Sequence, residues 1–398
     1  MRQISENQKL VEKFKKEYWE TNRERKSQIL GDLQKITGLN RNYLVQLLSD
    51  HHDLKNKAQS YHLRNQLPRK SKYGLIRNQL EELWEISNYE TGKRLVGSIH
   101  ILLESLTRHK EIDYTLKEKR LLLQISAATI DRQLKGIKQD AKGRYHNPPG
   151  THRGDLLKNQ IPIRTHRDWV EKKPGYLEID TVHHCGGNLS GQYILSLSTI
   201  DVYSGWNECR GMLNRRVDQI DQNISVINGR LPVDIKGVDF DGGSEFVNHR
   251  FLNYCHKRHI TYTRARADRK NDQCFVEQNN DSVVRRYLGY ARYETQEELI
   301  IINKIYEKLS DYYNFFQAVM RISSKTYHEQ NRTPTRHYDK AQTPYQRLMA
   351  CPSVSEKTKQ QLTERFLILN PKKLRDDIQK LQTLLSHLNR QNRPTDYL

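Results

Sequence analysis

The segment that most constrains the fold is 176–292, where short strand-like runs alternate with runs of helical spacing. Strand-like runs are predicted at 176–182, 192–200, 205–210, 235–240 and 260–263, and helical runs at 217–228, 246–259 and 274–290. The resulting order is βββαβαβα. It predicts one α/β layer domain with a mixed sheet and flanking helices.

Charge is distributed unevenly along the 398 residues, a length that suggests two to four domains. The net charge of +20 divides into +11 for residues 1–150, +1 for 151–300 and +8 for 301–398. Two basic flanks around a neutral middle favour a nucleic-acid partner over small acidic substrates. A generic basic soluble protein is the alternative interpretation.

The apolar runs and cysteines argue against several other classes. No apolar run approaches the length of a membrane span, and the start, MRQISENQKLVEKFKK, lacks an apolar signal core. The five cysteines form no CxxC pair, which argues against a zinc finger and a disulfide framework. We therefore expect free thiols, a cytoplasmic location in a bacterium, association with the nucleoid when bound to DNA, and no membrane partner.

The first helical segment contains a helix-turn-helix pattern. In LGDLQKITGLNRNYLVQLL (30–48), Gly38 interrupts the apolar periodicity and permits a tight turn between two helices. Asn40, Arg41 and Asn42 open the second helix, where such modules read base edges. A plain helical hairpin in a bundle is the alternative.

A second copy follows at a spacing of 86 residues, in KRLLLQISAATIDRQLKG (119–136). Ser126 can cap its second helix. Thr129, Arg132 and Gln133 are predicted to project from that helix toward DNA, with Lys135 close by. The alternative is again a plain helical element of a bundle, but two copies in a basic region support each other.

These patterns give a multidomain protein with α-helical N-terminal helix-turn-helix domains, a central α/β domain and a helical C-terminal region. The predicted boundaries are a first helix-turn-helix domain at 1–54, a basic linker at 55–74, a second helical domain at 75–141, a linker at 142–175, the α/β domain at 176–292 and the helical region at 293–398. The basic linker either lies along phosphates or is a solvated spacer.

A leucine seam occurs near the C-terminal end of the sequence. Its apolar positions alternate at spacings of four and three residues: Leu374, Ile378, Leu381, Leu385 and Leu388. This spacing is typical of a coiled-coil stripe. A packed terminal helix is favoured over a self-association helix because the seam is short.

Three acids stand at the ends or centres of predicted elements in the α/β domain. Asp180 lies centrally in the first strand, where an unused carboxylate is costly. Asp241 directly follows the fourth strand, and Glu277 lies near the start of a helix. Sixty residues separate the first pair and 35 the second. Strand ends and helix starts on one side of a sheet converge, so these acids are expected to meet.

Carboxylates that meet require compensation of their charge. Two of them ~4 Å apart repel by roughly 4 kcal/mol at an effective dielectric constant of 20. Mg²⁺ relieves this repulsion, since it prefers oxygen ligands and accepts a few carboxylates with phosphate oxygens. Asp241 is therefore predicted to be a metal ligand, and Gly242 and Gly243 let a substrate approach closely.

At these residues the chain resembles the DDE transposases and integrases with a retroviral-integrase-type, RNase H-like core. The resemblance lies in Asp180 of LEIDTV, Asp241 of DFDGGSEF and Glu277 of KNDQCFVEQNN, with the family's interval of 35 residues. DGGSEF is similar to the family's D-N-G-S-E-F form, with Gly242 in place of Asn. TRARADRKND and GYARYE resemble bacterial insertion-sequence members, and the resemblance covers about 175–350.

The resemblance implies a DNA transposase that binds the ends of a mobile element and catalyses Mg²⁺-dependent strand cleavage and strand transfer. It implies catalysis by Asp180, Asp241 and Glu277, which would hold two Mg²⁺ ions per site, with Mn²⁺ as a substitute. The implied partners are double-stranded DNA, as terminal inverted repeats and target, and a second copy of the chain in a homodimer or larger assembly.

The sequence also departs from the family pattern. Retroviral enzymes carry an N-terminal His-His-Cys-Cys zinc module, whereas no Cys occurs here before residue 185. Some insertion-sequence relatives place a basic residue seven positions after the Glu. That position is Val284 here, and Arg285 follows it, on roughly the face of Glu277, so Arg285 is included among the predicted DNA-contact residues.

Further polar residues flank the three acids. A basic cluster before Glu277 is predicted to contact a DNA strand, and it comprises Arg264, Arg266, Arg269, Lys270 and Asn271. His184 is considered for an auxiliary role on water or phosphate, although a packing histidine is favoured. Glu245 is interpreted as an acid at a helix start rather than a ligand.

Two other functions fit parts of the sequence. A sequence-specific DNA-binding regulator with a decayed nuclease fold would use the basic flanks and helix-turn-helix modules, but it has no use for an intact triad of acids. A Mg²⁺-dependent nuclease that only hydrolyses DNA would share the triad but would form no joined products.

Overall fold

The computed structural model describes residues 6–48, 72–135, 137, 173–213, 217–240, 253, 255–264, 274–326 and 335–393. The chain divides into two compact units, Met1–Lys72 and Tyr73–Leu398. The predicted linkers lie largely outside the described residues, and the finer domain boundaries within the second unit stay predictions.

The described part of the first unit contains three helices, α1 (Glu6–Glu20), α2 (Arg23–Thr37) and α3 (Arg41–Leu48). Their apolar faces form one small core of Val11, Ile29, Leu30, Leu33, Leu44 and Leu48. Gly38 ends α2 with φ 67°, and its N–H donates to the carbonyl of Gln34. This left-handed conformation favours glycine, so the predicted turn residue is confirmed.

A 3₁₀ turn (Lys72–Ile76) spans the boundary between the units. Four helices follow it in the second unit: α4 (Arg77–Ile86), α5 (Gly92–Arg108), α6 (Leu116–Gln124) and α7 (Ala127–Gln133). Thr115 and Glu118 form a capping box at the start of α6. The Ser126 hydroxyl accepts the N–H of Thr129 at 3.3 Å, so the predicted cap of α7 is confirmed.

A five-stranded mixed sheet forms the centre of the second unit. Its strands are β1 (Tyr176–His183), β2 (Leu195–Asp201), β3 (Asn207–Met212), β4 (Gly237–Phe240) and β5 (Thr261–Arg264). The order is β3-β2-β1-β4-β5, with β1 to β3 antiparallel and β4 and β5 parallel to β1. This arrangement is compatible with the RNase H-like core that the sequence predicts.

Helices connect and cover the sheet. α8 (Val217–Arg230) precedes β4, and α9 (Cys274–Asn279) follows β5. After α9 the chain continues as a π-helix (Asn280–Arg285) and a final α-helical turn (Arg286–Leu288). The helix predicted at 246–259 lies mostly outside the described residues.

The C-terminal part contains α10 (Gln296–Phe316), α11 (Pro344–Ala350), α12 (Glu356–Ile368) and α13 (Pro371–Asn392). The prediction of a helical region is incomplete, because an antiparallel pair, β6 (Ile322–Thr326) and β7 (Thr335–Tyr338), lies between α10 and α11. The β-branched and aromatic residues of these strands favour a sheet, but each run is short.

The leucine seam packs within the unit. Leu374, Ile378 and Leu385 of α13 are buried in the core that includes α10, and Leu381 and Leu388 pack against it half-buried. The favoured interpretation, a packed terminal helix, is therefore confirmed. The alternative that this seam serves self-association is wrong, because its apolar side chains contact the same chain.

Two hydrophobic clusters lie on opposite faces of the sheet. One joins Leu177 and Ile179 of β1 to Ile220, Ile224 and Ile227 of α8. The other, larger cluster joins the opposite face of the sheet to helices α4 to α7, which precede the sheet in the chain, and to α10 to α13, which follow it. Among the described residues, no helix is long and apolar enough to cross a membrane.

Candidate functional site

Asp180 lies in β1 on the sheet face that α9 and its π-helical continuation cover. Its Oδ1 accepts the N–H of Thr181 at 2.7 Å, and its Oδ2 accepts the Nδ2 amide of Asn280 at 2.6 Å. Asn280 is the first residue of the π-helix, a distortion often found at functional sites. The carboxylate is half-buried, and its contact with Asn280 connects strand and helix directly.

The predicted second acid, Asp241, lies outside the described residues, but the strand before it is described. β4 ends at Phe240, whose partner in parallel register on β1 is Ile179. Asp180 follows Ile179 directly, as Asp241 follows Phe240 in sequence. Each aspartate therefore directly follows one member of the last register pair between β1 and β4.

The third acid, Glu277, lies within α9, and its side chain is outside the described part. Neighbouring residues show how this helix sits on the sheet. The Asn279 side chain, which is buried, donates to the Ser198 hydroxyl of β2 at 3.2 Å. Asn280, one residue later, contacts Asp180 of β1. The helix that carries Glu277 is thus fixed against the strand that carries Asp180.

Glu178 is a buried acid of this site that the sequence reasoning missed. Its Oε2 accepts the backbone N–H groups of Phe275 at 3.0 Å and Val276 at 2.8 Å. Burial raises the pKa of Glu178 to about 8, and the nearby charge of Asp239 acts in the same direction. The sequence signal that could have identified it is the desolvation cost of a carboxylate within an apolar strand, which applies to Glu178 as much as to Asp180.

Compensating groups surround the buried acids. Asp239, fully buried in β4, accepts the Thr263 hydroxyl of β5 at 2.5 Å. The Arg321 guanidinium lies 4.6 Å from the centroid of the Phe275 ring and donates to the carbonyls of Asp201 and Val202. Its positive charge lowers the pKa of Glu178 and so opposes the effect of burial.

His184 is fully buried, so it does not face solvent or a bound phosphate. Its Nε2 lies 2.8 Å from the Ser196 hydroxyl, and Ser196 in turn contacts the Tyr306 hydroxyl at 2.5 Å. Burial lowers the pKa of His184 to about 3, and the positive charge of Arg285 acts in the same direction. The placement corrects the auxiliary role considered for His184 and supports the packing alternative.

Arg285 connects the end of β1 to the end of the helical segment 274–288 by hydrogen bonds. Its Nη2 donates to the His183 carbonyl at 3.0 Å and its Nη1 to the Gly289 carbonyl at 3.3 Å. The guanidinium also lies 4.8 Å from the Tyr290 ring centroid. These contacts give the side chain internal partners, and the predicted contact of Arg285 with DNA stays a prediction.

The predicted DNA-contact residues of the first unit are exposed at the start of α3. Asn40 Oδ1 accepts the N–H of Asn42 at 2.9 Å, and Arg41 donates to the Ser27 hydroxyl at 2.9 Å. Side chains at this helix start are therefore accessible and partly ordered by local contacts.

The predicted contacts of the second copy differ among themselves. Arg132 and Lys135 are exposed and Gln133 is half-buried. Thr129 is buried, and its hydroxyl contacts Ser126 and accepts Arg132 Nη2 at 3.1 Å. Thr129 therefore does not project from α7 as the sequence reasoning expected, because its hydroxyl completes the helix start.

The basic cluster before Glu277 cannot be placed in the same way. Arg266, Arg269, Lys270 and Asn271 lie outside the described residues, as do the side chain of Arg264 and all of Glu245. Their contacts with DNA stay predictions.

A metal centre would need acids that the structure describes only in part. Among the described residues, no group of three or more His, Cys, Asp or Glu side chains could hold a metal ion. Asp180, which presents a half-buried carboxylate beside a fixed helix, fits the oxygen donors that Mg²⁺ prefers.

The fold and site define an α/β protein with a mixed five-stranded sheet, in which an acidic face lies beneath a helix that begins after β5. No protein-family model matches the chain. The uncharacterized protein y4rM of Sinorhizobium fredii (strain NBRC 101917 / NGR234) is 33% identical over 318 residues, 80% of this chain and 88% of that protein. The chain belongs to the same family as y4rM.

Solved structures with similarity include retroviral integrase catalytic core domains. The core domain of BIV integrase is 16% identical, with a TM-score of 0.29, and covers 43% of this chain and 91% of its own. Two HTLV-2 integrase core structures in complex with magnesium, in trimeric and dimeric form, are 18% and 12% identical, each with a TM-score of 0.23 and coverage of 28% of this chain and 68% of their own.

Proposed function

We propose that this protein is a DDE-type DNA transposase, a polynucleotidyl transferase that cleaves DNA strands at the ends of a mobile element and joins them to target DNA. The observation that carries the proposal is the parallel register of β1 and β4, in which Ile179 and Phe240 are partners. Continued by one residue, this register would bring Asp180 and Asp241 side by side. Neighbouring strands are about 4.8 Å apart, a spacing at which two carboxylates can share a cation.

The position of α9 supports the same site. Asn280 contacts Asp180 at 2.6 Å, and Glu277 precedes Asn280 by three residues, which is close to one helical turn. Residues at this spacing share a helix face. Glu277 is thus proposed as the third carboxylate, and the metal ligands are Asp180, Asp241 and Glu277.

The proposed cofactor is Mg²⁺, two ions per site, with Mn²⁺ as a substitute. When bound, such ions supply charge stabilisation at the phosphate and lower the pKa of an attacking water. The chain would contribute the three carboxylates, and the glycines at 242 and 243, which lack a side chain, would leave space for the DNA backbone. No side chain is needed as a covalent nucleophile.

The DNA partner is proposed from charge and from the two helical pairs. Asn40, Arg41 and Asn42 on α3 and Arg132 and Lys135 near α7 are the exposed candidates for contacts with the element ends. Since such contacts include phosphates, the affinity should fall with salt with a log–log slope of about −0.9 per phosphate neutralised. A homodimer or larger assembly on DNA is proposed from the need to hold two ends, and not from the leucine seam.

One assay tests the proposal against its alternatives. A labelled duplex carrying the repeats that flank the coding sequence is incubated with the protein and a supercoiled target plasmid, in Mg²⁺ or EDTA. Denaturing gels should show nicked ends and joined products in Mg²⁺ alone. Binding without cleavage would favour the DNA-binding regulator, and cleavage without joined products would favour the hydrolytic nuclease.

Variants of the triad complete the test. Asp241→Ala and Glu277→Gln should each abolish cleavage while a mobility-shift assay shows nearly unchanged end binding. Strand transfer by Asp241→Ala at the wild-type rate would refute the proposed site.

A further inference from the structure

An acid precedes each predicted aspartate ligand by two residues, in E-I-D at 178–180 and D-F-D at 239–241. Residues two apart on a strand share a face, so Glu178 points to the same side of β1 as Asp180. Glu178 and Asp239 are register partners on β1 and β4, and both are fully buried. A buried pair of acids therefore lies next to the proposed metal site.

Within this pair, Glu178 accepts hydrogen bonds from the first turn of α9. Its Oε2 accepts both Phe275 N–H at 3.0 Å and Val276 N–H at 2.8 Å. The first N–H groups of a helix have no partner within the helix, so they require an external acceptor. Val276 directly precedes Glu277, so the carboxylate of Glu178 binds the backbone next to a predicted ligand.

Other contacts hold the same helix in place along its length. Arg321 stacks on the Phe275 ring at 4.6 Å and binds the turn that follows β2. Asn279 donates to Ser198 at 3.2 Å and Asn280 to Asp180 at 2.6 Å. The contact of Glu178 is the one that connects β1, which carries Asp180, to the first turn of α9, which carries Glu277.

We propose that Glu178 is the positioning residue of the metal site, which sets the place of Glu277 relative to Asp180 by holding the first turn of α9. This inference rests on the proposed function. Residues that orient metal ligands typically change metal affinity or activity by about 10–100-fold when they are replaced. Burial of the Glu178 carboxyl group also costs desolvation, and the two hydrogen bonds that it accepts from the helix offset part of this cost.

The experiment compares Glu178→Ala with Glu178→Gln. The alanine variant leaves the two N–H groups without an acceptor. Glutamine has a side chain of the same length and keeps a carbonyl oxygen as the acceptor. Glu208→Gln is the matched control, because Glu208 is also buried in the sheet but accepts from Trp206 and Ser310. Glu178→Asp, which shortens the side chain by one methylene, replaces the alanine variant if that one does not fold.

Three measurements are made on each protein. Hydrogen exchange reports protection of the amides of Phe275 and Val276, and paramagnetic resonance reports the affinity for Mn²⁺ alone. Gel assays of labelled ends report the Mg²⁺ concentration at which cleavage is half-maximal. Glu178→Ala should lose the amide protection and bind Mn²⁺ about 10–100-fold more weakly. The half-saturating Mg²⁺ concentration for cleavage should rise by a similar factor. Glu178→Gln should restore most of both, and Glu208→Gln should match the wild type.

The failures of the two proposals are distinguishable. Wild-type Mn²⁺ affinity in folded Glu178→Ala or Glu178→Asp, with lost amide protection, would overturn the positioning role alone. Equal weakening in Glu208→Gln would also overturn it, because general loss of stability would then explain the effect. A wild-type protein that neither binds Mn²⁺ nor cleaves DNA would overturn the proposed function itself.

Discussion

The two faces of β1 differ in chemistry although they belong to one strand. Leu177 and Ile179 pack against the isoleucines of α8 in an apolar cluster. Glu178 and Asp180 point to the other side, where they accept hydrogen bonds from Val276 and Asn280. One face therefore supplies stability through burial of apolar surface, and the other places polar groups at fixed positions at a cost in desolvation.

This difference shows how a small sheet can combine an apolar core on one face with a polar site on the other. The apolar face needs only side chains of suitable volume, so it tolerates conservative exchange. The acidic face depends on individual donors, such as the Thr263 hydroxyl for Asp239. Substitutions on the two faces should therefore separate stability from activity.

The largest expected effect is that of Asp180→Asn on the acidic face. The side chain keeps its size and an oxygen that can accept from Asn280, but it loses the charge needed to hold a cation. Mg²⁺-dependent strand cleavage should fall by roughly 10³-fold or more, while the free energy of unfolding changes little. Gel assays of labelled ends and urea denaturation measure the two quantities.

Asp234→Asn serves as a control for that variant, since Asp234 is exposed before β4. It should leave both cleavage and stability at wild-type levels. Cleavage by Asp180→Asn equal to that of the control would remove Asp180 from the site.

Ile179→Ala tests the opposite face of the same strand. Ile179 is 1% exposed, and its truncation should lower the free energy of unfolding by about 2–5 kcal/mol. At a temperature where the variant stays folded, cleavage should remain close to the wild-type rate. Denaturation monitored by circular dichroism gives the first quantity, and a loss of activity without a loss of stability would contradict the division between the faces.

A pH dependence of stability is expected from His184. Its folded pKa is about 3, below the ordinary value of 6.5, so the unfolded chain binds a proton that the folded chain does not. The neutral side chain of His184 therefore contributes to the free energy of unfolding fully above about pH 6.5. This contribution, on the order of 3–5 kcal/mol, is lost as the pH falls toward 3. Unfolding free energies at a series of pH values should show this slope, and His184→Gln should flatten it.

The sequence predicts the elements of the sheet because its strands are short, apolar and separated by turn residues. Asp180 could be selected as a candidate because it stands among apolar strand residues, and Asp241 because it ends a strand. The register of β1 and β4 could not be predicted, since it depends on pairing between segments about 60 residues apart. The resemblance to DDE enzymes supplied the connection between these residues that the pattern alone does not give.

Other features depended on tertiary contacts that the sequence does not show. Thr129 matches a recognition-helix position, yet it is buried because Ser126 and Arg132 use its hydroxyl. The leucine seam has the spacing of an intermolecular coiled coil, yet α10 of the same chain covers it. In both cases the local pattern is compatible with two partners, and only the packing of the second unit decides between them.

The smallest expected effect is that of Asn280→Ala, which removes the donor to Asp180 but leaves the carboxylate. A hydrogen bond of this type contributes about 1–3 kcal/mol, and solvent can replace part of it because both side chains are only half-buried. The free energy of unfolding should fall by about 1 kcal/mol, less than for Ile179→Ala on the apolar face. Because Asp180 keeps its charge, Mg²⁺-dependent cleavage should be weakened rather than abolished. Parallel urea titrations of the two variants measure the order, and a larger stability loss in Asn280→Ala would mean that the acidic face, too, contributes mainly to folding.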